Sequence, residues 1–256
     1  MCTNSISATI KIPNLPQIKS TNLKNLLRDL HAFGNPQKAI FAERFFKTGP
    51  GEYGENDKFI GITVPETRQI AKKYHDLNEE EILTLLHSPF HEERLLALII
   101  LVNQFSKGGE KTKEKIYKLY LKNTKYINNW DLVDTSADKI VGPFLENKNR
   151  EEILIKLAHS KSLWERRIAI ISTFYFIKKG DQTDTLKIAE ILIHDKHDLI
   201  QKAVGWMLRE VGKRCSQKSE EEFLKKHYKI MGRTSLRYAI EKFMPELKMM
   251  YLKGTI

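Results

Sequence analysis

The sequence predicts an all-α fold of stacked helix pairs, and three observations carry that reading. Beyond the first twenty residues, nearly every stretch repeats its apolar residues at helical spacing, and no alternating run demands a sheet. Punctuation is sparse: 8 Pro and 13 Gly in 256 residues argue against a many-stranded sandwich or barrel. The third observation is a spacing. Arg94, Arg167, Lys202 and Arg237 each open a mostly small or apolar run, and the gaps between them are 73, 35 and 35 residues. The first gap is close to two periods, and its missing member falls near Asp131. A period of about 35 to 37 residues with two helices per unit marks a HEAT-like α-solenoid, whose curved, concave face suits a rod-like polyanion.

Residues 1–20 read as a polar leader that lacks the basic and apolar regions of a signal peptide, and 21–256 read as one repeat domain. Short loops are marked at 34–36, 88–90, 107–110, 178–182 and 212–214. The Gly-rich stretch Thr48 to Lys58 reads as a mobile surface loop. His91-Glu92-Glu93 lacks the second His of a zinc protease and reads as a helix start. Leu95 to Val102, the longest strongly apolar run, is far short of a membrane span. Lys111 to Lys125 carries six lysines, which suit a solvated helix face and a phosphate-tracking one equally. His194 to Asp198 has metal-binding residue types but the setting of an inter-repeat turn. Cys2 and Cys215 cannot frame a disulfide scaffold, so the chain reads as cytoplasmic. No phosphate-binding loop or dinucleotide fingerprint appears; no cofactor and no metal is expected.

Composition narrows the partner. A balance of 41% hydrophobic and 29% charged residues is globular and excludes disorder over the whole chain. Lys and Arg number 43 against 32 Asp and Glu, a net charge of +11 that points to DNA, RNA or an acidic membrane surface. Stepping about 100° per residue places Leu132, Val133, Ala137 and Ile140 on one arc of their helix, and Ala203, Val204, Met207, Leu208 and Val211 on the same arc of another. Opposite lie Trp130, Asp134 and Asp138 in the first, and Lys202, Trp206, Arg209 and Lys213 in the second, with Arg167 between them. If equivalent helices lie side by side, Trp130, Asp134, Arg167 and Trp206 converge. Singly, each has an ordinary role: Trp as packing, Asp134 as an exposed residue or the partner of a neighbouring Arg. Together they suit a substrate with a phosphate and a cationic centre. Arginine grips phosphate by its fork, indole faces attract cations, and a carboxylate opposes positive charge or orders a water.

The strings GNPQKA (34–39), AERFFK (42–47), GITVPETRQIAK (61–72), NNWDLVDTSADKIVGPFL (128–145), SLWERRIAII (162–171) and IQKAVGWMLREVGK (200–213) carry a resemblance. In order, and over most of the chain, they resemble the DNA alkylation repair family, the AlkD-type alkylpurine DNA glycosylases. The WDLVD and GWMLRE blocks are the more specific; relatives of other activity share the VPETR block. The resemblance implies a monomer that holds duplex DNA in a basic concavity, associates with the nucleoid and hydrolyses the N-glycosidic bond of cationic N3- or N7-alkylated purines. It implies Trp130 and Asp134 as catalytic residues, Trp206 as the second indole, Arg167 as the phosphate grip and Arg209 as a nearby DNA contact. Lys202 and Lys213 join them as basic residues of the same face. Phe45 stands where the best-known type has Tyr, and Thr63 where it has Gln, at positions that contact DNA. No nucleophilic Lys is required, so no strand cleavage is expected. The alternative is a HEAT-like paralogue that binds DNA structure without cutting.

Overall fold

The computed structural model describes residues 20–256; the leader read at 1–20 otherwise lies outside them. Ser20 belongs to the fold already. Its hydroxyl accepts from the Leu23 amide as the N-cap of α1 (Thr21–His31), satisfying a donor that the helix itself cannot. Asn35 does the same for α2 (Pro36–Phe45), whose first residue is a proline. There follow α3 (Val64–Lys73), α4 (Glu79–Leu86), α5 (His91–Lys107), α6 (Glu110–Lys122), α7 (Trp130–Phe144) and α8 (Arg150–Ala158). The chain continues through α9 (Leu163–Ser172), the short α10 (Phe174–Ile177), α11 (Thr183–Leu192), α12 (Asp198–Arg214) and α13 (Gln217–His227). It closes with α14 (Arg233–Ala239) and α15 (Pro245–Lys253). No strand occurs among the described residues, only an isolated bridge between Lys58 and Phe90.

The all-α expectation holds, and the 35-residue spacing has a physical basis. Helices α3, α5, α7, α9, α12 and α14 form a row in which each packs on the next. Behind α5, α7, α9 and α12 lie α4, α6, α8 and α11, one helix per unit. The row buries one continuous apolar cluster from Leu23 to Tyr251. The periodic basic residues near the starts of the row helices do two different things. Arg94 and Arg167 are buried and ion-paired, whereas Arg237 is exposed and Lys202 half-buried.

Three expectations change. The stretch Thr48 to Lys58 is no free loop: it is folded on itself by hydrogen bonds from Gly49 and Gly51 N–H to Glu52 and Glu55, and from Gly54 N–H to Lys47 O. Its Asp57 is buried, because it is the carboxylate that pairs with Arg94 (2.7 Å). Residues 212–214 are the last turn of α12 rather than a loop. Asp138 does not face outward with Asp134; it is buried against α10's end, where Lys178 pairs with it at 2.8 Å. The lysines of α6, the helix behind α7, pair largely with Glu110, Glu79 and Glu114, as a solvated face would.

The row is tightly packed at Gly205 of α12. A Cβ there would lie 2.3 Å from Ser235 O and 2.6 Å from Tyr238 Cβ, so a bare backbone is what lets α14 seat against α12. Gly205→Ala is therefore expected to lower stability by about 1–3 kcal/mol, the usual cost of overpacking a tight site. Chemical denaturation reads this directly, and an unchanged midpoint would show that α14 can retreat freely.

Candidate active site

The row sets the first turns of successive helices next to one another, and an open cleft of about 480 Å³ runs across them. Trp130 and Asp134 come from α7, one turn apart on the same face. Arg167 comes from α9, and Lys202, Trp206 and Arg209 from α12. Phe45, Lys47 and Tyr53, which precede the row, and Tyr238 of α14 complete the lining. Thus the helical-wheel expectation that Trp130, Asp134, Arg167 and Trp206 converge is met geometrically, and Phe45, Lys202 and Arg209 share their cleft. Lys213 and Thr63 do not. Lys213 faces a separate cleft beside α13. Thr63 caps α3, giving both its N–H and O–H to Glu66 (2.7 and 2.6 Å), and lines an apolar cavity on the other side of Phe46.

At the centre of the cleft, Arg167 donates Nε–H to Asp134 Oδ1 (2.9 Å) and Nη2–H to Oδ2 (2.7 Å). Its third nitrogen, Nη1, donates to Leu199 O at 2.5 Å. Arg167 is 4% exposed, and each of its three guanidinium nitrogens donates one hydrogen bond. The free phosphate-gripping fork expected of Arg167 is therefore absent; the carboxylate of the next helix already occupies it. The ordinary role considered for Asp134, partner of a neighbouring Arg, describes its geometry. Burial raises the Asp134 carboxyl above its usual range, helped by Asp131 and Asp138, while Arg167 pulls it down. Two parallel N–H donors, one per oxygen, select the ionised carboxylate.

The aromatic walls are braced from behind. Trp130 stacks on Phe46 (5.3 Å, 27°) and takes the edge of Phe45 (5.8 Å, 69°), which is itself 53% exposed. Trp206 leans on Phe174 (5.8 Å). Tyr53 meets Trp164 edge-on (6.1 Å); burial raises its phenol above the usual value against the opposing pull of Trp130 and Lys202. Lys202 pairs with Asp198 one turn back (2.6 Å), and Arg209 with Glu241. Neither Tyr53 nor Tyr238 stands out in the sequence: a loop brings in the first, and the second follows the periodic Arg237 on α14, whose orientation towards the cleft spacing does not give. The signal for Tyr53 was an aromatic inside an otherwise polar, Gly-rich stretch.

A buried charge network fastens this wall to the core. His91, 2% exposed, stacks on Phe59 (4.7 Å) and lies tilted against Phe46 (4.8 Å), the three rings forming one cluster. Its Nε2 meets Asp131 (2.8 Å), the residue after Trp130, and its Nδ1 meets Asp57 (3.2 Å) of the folded loop. Burial disfavours the charged ring, but Asp131 and Asp57 outweigh that and raise His91 to about 9. His91 does start α5, as read, but it is also a buried cation under Trp130. The turn His194 to Asp198 is likewise structural: Asp195 pairs with Arg166 (2.6 Å) and His197 caps α12.

A family profile described as DNA alkylation repair enzyme matches residues 26–243. The chain belongs to this family. Its members' name places it in the repair of alkylated DNA, with DNA as substrate. A solved structure titled "Predicted DNA alkylation repair enzyme from Enterococcus faecalis" superposes with a TM-score of 0.65 over 83% of this chain and 97% of that one, at 18% sequence identity. That similarity speaks for a shared fold. No curated protein matches the sequence. Among the described residues of this family member, no helix is long and apolar enough to cross a membrane.

The His91 bridge makes stability pH-dependent. Its folded-state value of about 9 lies above the unfolded value of 6.5, so its contribution is complete below pH 6.5 and is lost as pH rises through 9. The span corresponds to on the order of 3 kcal/mol. Thermal unfolding from pH 6 to 10 should show a fall that His91→Gln flattens. A wild-type curve with no decline across that window contradicts a charged His91.

Proposed function

We propose that the protein is a monofunctional DNA glycosylase that hydrolyses the N-glycosidic bond of cationic N3- or N7-alkylated purines in duplex DNA. The observation that carries this reading is the Asp134 carboxylate, held in a fixed plane by Arg167 between two indole walls at the floor of an open cleft. A cationic purine is already a good leaving group, so no strong general acid is needed. The barrier is the positive charge that develops at the sugar C1′ as the bond breaks. Asp134 opposes that charge and orients a water for attack, an interaction that strengthens towards the transition state. Arg167 acts through Asp134: its fork fixes the carboxylate and keeps it ionised. Trp130 and Trp206 flank the sugar and add cation–π attraction.

The remaining cations divide the binding work. With the Arg167 fork engaged, phosphate contacts fall to Lys47, Lys202 and Arg209, which all line the cleft. Phe45, exposed and edge-on to Trp130, is placed to touch a base or sugar of the bound duplex. Thr63 is withdrawn from this reading, since its hydroxyl serves the α3 cap.

Asp134→Asn is expected to slow release of 7-methylguanine on the order of 100-fold or more, with duplex affinity nearly unchanged. The Asn carbonyl still accepts one Arg167 N–H, and a melting curve checks that the fold survives. Because burial raises the Asp134 carboxyl, wild-type activity should fall with decreasing pH before ordinary carboxylates protonate. Release at the wild-type rate by the Asn variant would refute the catalytic assignment. Duplex binding with no release from the wild type would favour the non-catalytic paralogue.

Lesion scope tests the mechanism separately. An open cleft that works on the sugar side should tolerate bulk on the purine but require its positive charge. From matched duplexes, 7-methylguanine and a bulky N3-alkyladenine should both be released, and hypoxanthine should not. Good hypoxanthine excision with rejection of the bulky adduct would instead indicate a fitted base pocket.

A further inference from the structure

A second cleft, of about 310 Å³, lies beside the first, and Arg209 lines both. Its floor is Glu220, in the first turn of α13. Glu220 is 3% exposed, and its Oε1 has no hydrogen-bond partner. The space it occupies exists because α12 carries Gly212 there: a Cβ on that residue would lie 1.7 Å from Glu220 Oε2. Around the carboxyl stand Lys213 and Arg209 of α12 and Lys242 of the 240–242 turn. Arg209 and Lys242 both engage Glu241, and among the described residues Lys213 makes no ion pair. None of these cations pairs with Glu220 itself. A carboxyl that is buried and paired with none of the cations lining the cleft is pushed towards its neutral form by desolvation, against the pull of Arg209, and a neutral carboxyl can donate. The other polar side chains that line the cleft are three cations and the Gln217 amide, and Glu241 stands against Arg209 and Lys242 at its edge.

We propose that this cleft is a phosphate subsite in which Glu220 donates its carboxyl O–H to a phosphoryl oxygen while Lys213 and Lys242 supply the charge. The inference rests on the reading that the chain binds DNA, and it extends that reading along the strand, since Arg209 joins the subsite to the candidate active site. A phosphate diester carries one negative charge and two free oxygens, which matches one neutral donor and flanking ammonium groups. Burial raises Glu220 to about 8, with Glu221 adding to the rise and Arg209 opposing it, so the donating form is the one present at neutral pH. Tyr251, buried behind it on α15, is itself raised by burial and by Glu221 and Glu220, and remains a phenol throughout. An approaching phosphate favours the protonated acid further, so binding and proton uptake are coupled. Above pH 8 the ionised Glu220 repels the same phosphate.

The test uses the full chain and an unmodified duplex oligonucleotide, with affinity read by fluorescence anisotropy at constant ionic strength from pH 6.5 to 9.5. Wild-type affinity should fall about tenfold as pH rises through 8, the effect of losing one charge-assisted hydrogen bond. Glu220→Gln, which keeps the shape and an N–H donor but cannot ionise, should hold the low-pH affinity across the range. Lys213→Gln should weaken binding at every pH. A second arm titrates inorganic phosphate into the DNA-free protein and follows it by NMR. Binding that depends on Glu220 there, with duplex affinity indifferent to Glu220, would keep the subsite but assign it to free phosphate. The proposal is overturned if Glu220→Gln leaves the pH profile of duplex binding unchanged and inorganic phosphate fails to bind. These readouts are independent of base release: a Glu220-dependent profile without excision would sink the glycosylase reading alone, and excision without that profile would sink the subsite alone.

Discussion

Everything at the cleft depends on the side-by-side packing of α5, α7, α9, α12 and α14. Because each helix begins a new unit, their first turns form a line, and side chains far apart in sequence become neighbours. The line also forces charges together. Asp57 with Arg94, Asp131 with His91, and Asp134 with Arg167 are all contacts made between successive units or their connections. Removing one partner from such a pair leaves a buried charge, which is far costlier than the pair itself is favourable. The pairs therefore act as registry devices: the row cannot slide without separating them.

That arrangement also explains how an open cleft can hold a carboxylate steady. Asp134 has both oxygens fixed by a guanidinium whose third nitrogen is tied to the backbone of α12. Three row helices thus share one bond network, and the carboxylate's plane is set by all of them. The indoles are treated the same way. Trp130 is backed by Phe46, which rests on His91 and Phe59, so an aromatic wall runs from the cleft into the core. A side chain meant to meet a developing charge gains most when it does not have to reorganise at the moment of reaction.

The electrostatic consequence is a division of labour among the basic residues. Arg94 and Arg167 spend their charge inside the protein, while Lys47, Lys202, Lys213 and Lys242 leave theirs at the surface. The net charge of +11 is thus expressed at the surface, where Lys202 and Lys242 share theirs with an exposed carboxylate and Lys213 makes no ion pair among the described residues. This surface set lies along the two clefts that Arg209 connects, which is the distribution a backbone-tracking surface needs.

The sequence by itself determined the class of fold and the line of the site. Sparse Pro and Gly, helical periodicity and a 35-residue spacing are local or additive properties, and they fixed the all-α row and put Trp130, Asp134, Arg167 and Trp206 on one face. Only the tertiary structure decided what those residues do to one another. Helical periodicity orders side chains around one axis but says nothing of distance between axes, so it could not show that Arg167 already holds Asp134 or that Asp138 is buried against Lys178. Likewise composition marked Thr48 to Lys58 as a loop, yet Asp57 draws it into the core, where it pairs with buried Arg94 and His91. Tyr53 enters the cleft while Thr63 and Lys213 line other cavities for the same reason: where a side chain ends depends on the packing of distant segments, which spacing along the chain does not encode.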